Sequence, residues 1–164
     1  MLFLKDLFTI GNVPEEDENS ITLNSIQKIQ IATCALFLEI ANADKNFDPD
    51  ERAKIVSIMR STFKIDPEYV QELMQLAENS VKQSSSIYEY TELVKKSFTR
   101  KEKFEILENL WRLIFVDKLL DKYEEHLVKS IGHNLGFDYR EILEAKLIIL
   151  EELKKQGVLH TPGA

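Results

Sequence analysis

Apolar residues recur every three or four positions along most of this 164-residue chain, as they do in amphipathic α-helices. The longest such segment runs from about Ser25 to Ala43, and its middle is apolar nearly all round. A helix of that kind is normally central and buried. Its expected inward positions are Ile26, Ile29, Thr33, Leu36, Phe37 and Ile40. Since no segment alternates convincingly with the period of a strand, the pattern predicts an all-α fold of six or seven helices.

Start signals divide the rest of the chain into helices. Asp48-Pro49 opens one helix, with expected inward residues Ala53, Ile55, Val56, Ile58, Met59 and Phe63. Asp66-Pro67 opens the next, with Tyr69, Val70, Leu73, Met74 and Leu76 inward. Capping-box spacings open four more, at Ser86/Glu89, Thr99/Glu102, Asp121/Glu124 and Asp138/Glu141. The helix after Thr99 carries the stripe Phe104, Leu107, Leu110, Trp111, Ile114 and Phe115.

Two acidic loops share one pattern and are flanked by similar segments. The first contains Asp44, Asp48 and Glu51, and the second repeats the same spacing with Asp117, Asp121 and Glu124. After the loops, Phe63-Lys64-Ile65-Asp66 corresponds to Leu135-Gly136-Phe137-Asp138. A duplicated helix–acidic loop–helix unit therefore organises the chain, as two pseudo-repeats packed in one bundle. We expect one domain over residues 25–155, with units at about 25–79 and 100–150.

The two ends of the sequence differ from this domain. Residues 1–24 hold a short apolar segment, Leu2 to Ile10, and an acidic loop with the run Glu15-Glu16-Asp17-Glu18. The apolar segment is too short to form a stable helix alone, so it either docks on the core or contacts a partner or a membrane surface. Residues 156–164 are expected to fray.

Composition and charge narrow the classes of function. The net charge of −7 argues against a nucleic-acid binder, which needs a basic surface. Cys34 is the only cysteine, which excludes an intrachain disulfide and fits a reducing compartment. The sequence has no recognisable signal peptide and no stretch near the roughly 20 apolar residues of a spanning helix, so a cytoplasmic location is expected.

The acidic loops are the only candidates for a chemical site. Asp48 and Asp121 can cap helices, and Glu51 and Glu124 can close capping boxes. Asp44 and Asp117 instead follow the ends of helices, where a negative charge opposes the helix dipole by roughly 0.3–1 kcal/mol. They require a compensating partner, either loop amides or a hard cation held by carboxylate oxygens. The sequence leaves both alternatives open.

Better-known sites do not fit. The first loop opens like an EF-hand, but Pro49 replaces the turn glycine and Ile55 replaces the bidentate glutamate. His126 and His133 are seven positions apart, whereas a zinc pair on a helix needs three or four. The sequence shows no nucleophile motif and no phosphate-binding glycine motif, so we do not expect an enzyme.

Segments 42–52 and 110–125 resemble the TerB-like family, named for a bacterial tellurite-resistance protein. The resemblance implies an all-helical, two-repeat bacterial domain without known catalytic activity, linked to tellurite and other stress responses. Related domains occur in membrane-anchored DnaJ-like co-chaperones. Family members are proposed to bind metal through acidic residues, which here are Asp44, Asp48, Glu51, Asp117, Asp121 and Glu124. Lys45 and Lys118 depart from the family pattern by replacing a glycine in each loop.

The resulting expectation is a non-enzymatic stress-response protein that binds a divalent cation (calcium, magnesium, manganese or zinc) at its acidic loops. Direct capture of tellurite is not expected, because an acidic site repels an oxyanion. The alternative is a helical interaction or scaffold domain without metal, in which the carboxylates only cap helices. Its partner would be another protein or a second copy of the chain, and peripheral association with a membrane stays open.

Overall fold

The computed structural model describes residues 16–43, 49–83, 86–117 and 122–157, with side chains at 25–43, 49–83, 86–116 and 122–157. These ranges contain the helices α1 (Glu16–Asn42), α2 (Pro49–Phe63), α3 (Pro67–Lys82), α4 (Ile87–Ser97), α5 (Arg100–Ile114), α6 (Lys122–Asn134) and α7 (Tyr139–Lys155). A short 3-10 turn, Phe115–Asp117, follows α5. The described ranges contain no strand, so the predicted all-α class is confirmed. None of the described helices is both long and apolar enough to span a bilayer.

The central element is α1. Every residue from 32 to 38 is buried, and α1 packs against α2, α3, α4, α5 and α6. The central position predicted from its apolar surface is confirmed. Its start is earlier than predicted, at Glu16 rather than near Ser25. Neither proline nor glycine interrupts residues 16–24, and acidic residues are stabilising in the first turn of a helix.

Six of the described helices form two three-helix units, α1-α2-α3 and α5-α6-α7. In each unit the first helix packs most extensively on the third, and the second helix contacts both. Between the units, α1 contacts α6 and α5 contacts α2, so each first helix touches the second helix of the other unit. This reciprocal arrangement is expected of a duplicated unit. In addition, α4 packs against α1 and α6.

Burial repeats position by position between the units. In the second helices the buried pairs are Glu51/Glu124, Ile55/Val128, Ile58/Ile131 and Met59/Gly132. In the third helices they are Val70/Ile142, Leu73/Ala145 and Ala77/Ile149. Both second helices are followed by a residue with positive φ, Lys64 at 52° and Gly136 at 100°. The duplication therefore extends through the third helix of each unit.

Two residues predicted to face inward do not. Ala53 on α2 and Leu76 on α3 are exposed, whereas Glu51 is buried. The inward stripe of α2 begins at Glu51 and continues through Ile55 with helical spacing, which turns Ala53 toward solvent. The apolar character of a residue was therefore not enough to identify the buried face of its helix.

Capping explains where several helices begin. Thr99 and Glu102 form a complete capping box at α5, and Asp138 and Glu141 form another at α7. Ser86 accepts a hydrogen bond from the backbone N–H of Glu89 at the start of α4. These predicted starts are confirmed. The helices expected after Asp48 and Asp121 begin at Pro49 and Lys122, as predicted, whereas the two capping aspartates lie outside the described residues.

Candidate functional site

One acidic loop precedes α2 and the other precedes α6, and only part of each loop is described. Glu51 and Glu124 are described in full, and Asp117 is described in its backbone as the end of the 3-10 turn. Asp44, Asp48 and Asp121 lie outside the described residues. The six-carboxylate site therefore stays a prediction, and its described part consists of the two glutamates.

Glu51 and Glu124 occupy the same position in their units and are both buried. Each is the third residue of its helix, and only 4 % and 3 % of their surfaces are exposed. The third helical position is where the glutamate of a capping box normally lies. A buried carboxylate is costly unless hydrogen bonds or a cation compensate it, and neither residue lacks a partner.

The residue after each buried glutamate ties its helix to the third helix of the same unit. In the first unit Arg52 donates to Glu78 at 2.8 Å. In the second unit Lys146 donates to Glu125 at 2.9 Å, and this hydrogen bond holds the pKa of Glu125 below its usual range. The cation lies on the second helix in the first unit and on the third helix in the second unit. In both units the ion pair holds the helix that follows the acidic loop against the third helix.

The second acidic loop begins against the first unit. The turn Phe115–Asp117 contacts α2, the helix that follows the first loop. The ring of Phe115 stacks on Trp111 with a centroid separation of 6.0 Å, and Lys146 lies 5.4 Å from the Trp111 ring. The indole N–H of Trp111 is buried and has no hydrogen-bond acceptor among the described residues. Trp111 therefore lies in the core at the entrance to the second loop.

The described side chains alone do not form a metal site. Within the described ranges, no three His, Cys, Asp or Glu side chains are grouped so that they could hold an ion. His126 and His133 are both exposed on α6. A cation site at the loops would therefore need aspartates from 44–48 or 117–121 in addition to the buried glutamates.

Other reactive groups are committed to structural roles. Burial raises the pKa of Cys34 to about 12, so its thiol stays protonated and unreactive. A depression of about 580 Å³ lies between α2, α5 and α7, and the guanidinium of Arg112 lines it. Arg112 donates to both carboxylate oxygens of Glu152 and to Asn109, so its hydrogen bonds are directed to its own chain.

A family model described as tellurite resistance protein TerB matches residues 30–147. The chain belongs to the TerB family. The match begins within α1 and ends within α7, so it covers most of both units together with both acidic loops and α4. Membership in the TerB family confirms the resemblance drawn from the two loops. Comparisons with curated proteins and with solved structures gave no match.

This TerB-family protein also has an exposed apolar surface that was not predicted from its sequence. On the outer side of α7, the exposed fractions of Leu143, Leu147 and Ile148 are 38 %, 56 % and 41 %. A signal for it was present, because α7 carries more apolar residues than one inward stripe requires. We call Leu143, Leu147 and Ile148 the apolar face of α7.

Proposed function

We propose that this TerB-family protein is a non-enzymatic, divalent cation-binding module of a bacterial stress response. The observation that carries the proposal is the burial of Glu51 and Glu124 at equivalent positions, each directly after an acidic loop. Asp44 and Asp48 would join Glu51 at one loop. Asp117 and Asp121 would join Glu124 at the other.

Burial favours a cation over capping alone. A capping-box glutamate accepts a hydrogen bond from the N-cap backbone N–H, which uses only one of the roughly four acceptor sites of a carboxylate. Glu51 and Glu124, one in each unit, are removed from water and already have partners. A cation bound through oxygen would satisfy the lone pairs that remain on each carboxylate. An all-carboxylate set suits hard ions such as calcium, magnesium and manganese better than zinc, which is normally held by histidine or cysteine as well.

The test is calorimetric titration of chelator-stripped protein with calcium, magnesium, manganese and zinc. Trp111 gives a second readout, because it is the only tryptophan and stacks on Phe115 at the entrance to the second loop. The loop variants are Asp44→Asn and Asp117→Asn. Glu72→Gln and Glu144→Gln serve as matched controls, since these carboxylates are exposed at equivalent positions of α3 and α7.

Saturable heat in the unaltered protein and in both controls, with loss in the loop variants, is the expected result. A folded protein that gives only heat of dilution with all four ions would overturn the proposal. The carboxylates would then be structural caps.

An interaction domain without metal is the second candidate, and the apolar face of α7 favours it. Contiguous exposed apolar side chains commonly mark a contact surface. On this alternative, Asp44→Asn lowers the unfolding midpoint by the same amount with calcium, magnesium or manganese as with chelator. A shift that depends on one of these ions would contradict it.

A further inference from the structure

The helix α4 occupies a groove whose counterpart on the other side of the molecule is open. α4 packs against α1 and α6, and the hydroxyl groups of Tyr90 on α4 and Ser80 on α3 lie 2.7 Å apart. The duplication relates α1, α6 and α3 to α5, α2 and α7. These last three helices border the depression of about 580 Å³, and no other described helix fills it. We call this depression the open groove.

The open groove resembles the occupied groove in position and differs from it in polarity. Ser80, which contacts Tyr90, corresponds to Glu152, and Glu152 lines the open groove. Leu36 on α1 is fully buried, whereas its equivalent on α5 is the half-buried Asn109. The open groove also has an apolar part, formed by Ile58, Phe115, Val116 and Leu153. A groove of mixed polarity suits an amphipathic helix that docks from another molecule.

The α2 wall of the open groove is cationic. Lys54 lines the groove, and Arg60 and Lys64 line an adjoining depression of about 440 Å³. No acidic residue lies between Lys54 and Lys64 in the sequence, and none of the three cations forms an ion pair with a described residue. On the opposite wall, Arg112 and Glu152 pair with each other. The occupant of the groove should therefore present carboxylates to α2.

The outer side of α7 has the apolar surface and the carboxylates that this groove requires. Glu144 and Glu151 flank the apolar face of α7, and neither forms an ion pair with a described residue. On the equivalent outer side of α3, exposed glutamines stand in place of Leu143 and Leu147. The two cations that border the apolar face lie near its ends, at Arg140 and Lys155. The middle of α7 is therefore complementary to the α2 wall.

We propose that the apolar face of α7 packs into the open groove of a second copy of the chain, so that two copies form a two-fold symmetric dimer. In this contact Glu144 and Glu151 of each copy face the α2 wall of the other. The apolar face and the open groove adjoin on one molecule, because Glu152 and Gln156 line both depressions. One patch thus holds both complementary surfaces, as a closed two-fold contact requires. The dimer belongs to the second candidate function and does not depend on cation binding.

Other helices of the chain do not fit this role. Within one molecule, α7 is itself a wall of the open groove, so its apolar face cannot enter that groove. The α4 helix of a second copy is engaged in its own fold, where Tyr90, Thr91 and Val94 are buried. Within the described ranges, α7 is the helix that exposes more than one large aliphatic side chain.

The test is sedimentation equilibrium of the full chain over a concentration series, with a chelator present so that cation binding plays no part. The expected result is a reversible equilibrium between one and two chains. Higher salt should weaken the dimer, because exposed charges at the contact are screened. The mass of a single chain at every concentration up to the solubility limit would overturn the proposal.

Charge reversal identifies the two surfaces. Glu144→Lys/Glu151→Lys reverses the charge beside the apolar face, and Lys54→Glu/Lys64→Glu reverses the charge of the α2 wall. Each variant alone should raise the dissociation constant of the dimer by about tenfold or more, because like charges then face each other. An equimolar mixture of the two variants should dimerise like the unaltered protein, since both contacts of the mixed dimer again join opposite charges.

Matched controls make the same changes of charge at exposed positions outside the contact. They are Glu68→Lys/Glu72→Lys on α3 and Lys82→Glu/Lys96→Glu on α3 and α4. Both should leave the dissociation constant unchanged.

Circular dichroism checks that each variant is folded. Because Lys54 is half-buried, Arg60→Glu/Lys64→Glu, at two exposed positions, takes the place of the groove variant if helix content is lost. A dimer that is weakened by the α7 variant and unaffected by the groove variant would assign α7 to pairing with itself and overturn the proposal. A mixture that fails to dimerise would overturn it as well.

Discussion

The two units of this TerB-family protein use the same frame with different side chains. Met59 is fully buried in α2, and its equivalent in α6 is Gly132. A Cβ atom at Gly132 would lie 2.8 Å from side-chain carbons of Ile142 on α7. The first unit has the smaller Val70 where the second has Ile142. The volume lost on one helix is therefore recovered on its neighbour, which shows that packing constrains pairs of positions together.

The largest expected effect comes from the inward stripe of α3. Leu73 is fully buried, whereas its equivalent in the second unit is already Ala145. Leu73→Ala should lower the free energy of unfolding by about 2–5 kcal/mol, because it removes buried surface and leaves a cavity. Urea denaturation measures the loss. Leu76→Ala is the control on the same helix, and an equal loss there would contradict this account of the α3 core.

Gly132→Ala tests the compensation between α6 and α7. The added methyl group must displace Ile142, and overpacking of this kind typically costs about 1–3 kcal/mol. That cost should exceed the roughly 1 kcal/mol gained by replacing glycine within a helix. Chemical denaturation should therefore show a net loss of stability. The exposed Ser130→Ala on the same helix should not destabilise, and a net gain for Gly132→Ala would show that Ile142 moves freely.

The helix ends can be exchanged between the units. Lys64 adopts a left-handed conformation that costs a non-glycine residue about 1–2 kcal/mol, whereas its equivalent is Gly136. Lys64→Gly should raise the midpoint of thermal unfolding, and Gly136→Lys should lower it by a few degrees. Shifts of the same sign in both variants would contradict a conformational origin.

The smallest effect concerns the ion pair of the second unit. The hydrogen bond from Lys146 lowers the pKa of Glu125 in the folded state, so the pair stabilises the fold above the unfolded value of about 4.5. That contribution disappears as the pH falls through the lowered pKa. Glu125→Gln should therefore cost about 0.2–1 kcal/mol at pH 7. Denaturation at a series of pH values below 7 checks this, because the difference in unfolding free energy between the two proteins should shrink as the pH falls through the lowered pKa. A difference that stays constant over the series would exclude the ion pair as its cause.

The helical frame was largely readable from the sequence, because its signals are local. Thr99 and Asp138 were identified as caps from spacing alone, and both form the expected capping boxes. The start of α1 was placed too late, because acidic residues near Glu16 were taken for a loop. Ala53 was predicted to face inward because it is apolar. The buried residues of α2 lie on another side of the helix, so Ala53 faces solvent.

The candidate site was readable only in part. The repeat identified Glu51 and Glu124 as equivalent, but their burial depends on packing between distant helices, which no local spacing encodes. The apolar face of α7 was missed for the same reason, since periodicity cannot tell a second apolar stripe from the edge of the first. Cation binding at the six carboxylates stays a prediction.

The reciprocal contacts of α1 with α6 and of α5 with α2 have a consequence for the ancestry and assembly of the chain. They are the contacts that two copies of one three-helix peptide would make in a symmetric dimer, joined in this chain through α4. Cutting the backbone at residues 84–85 should therefore give two fragments that regain native structure by complementation. Each fragment alone would keep the third helix of its unit but lack the part of its core that the first and second helices of the other unit supply.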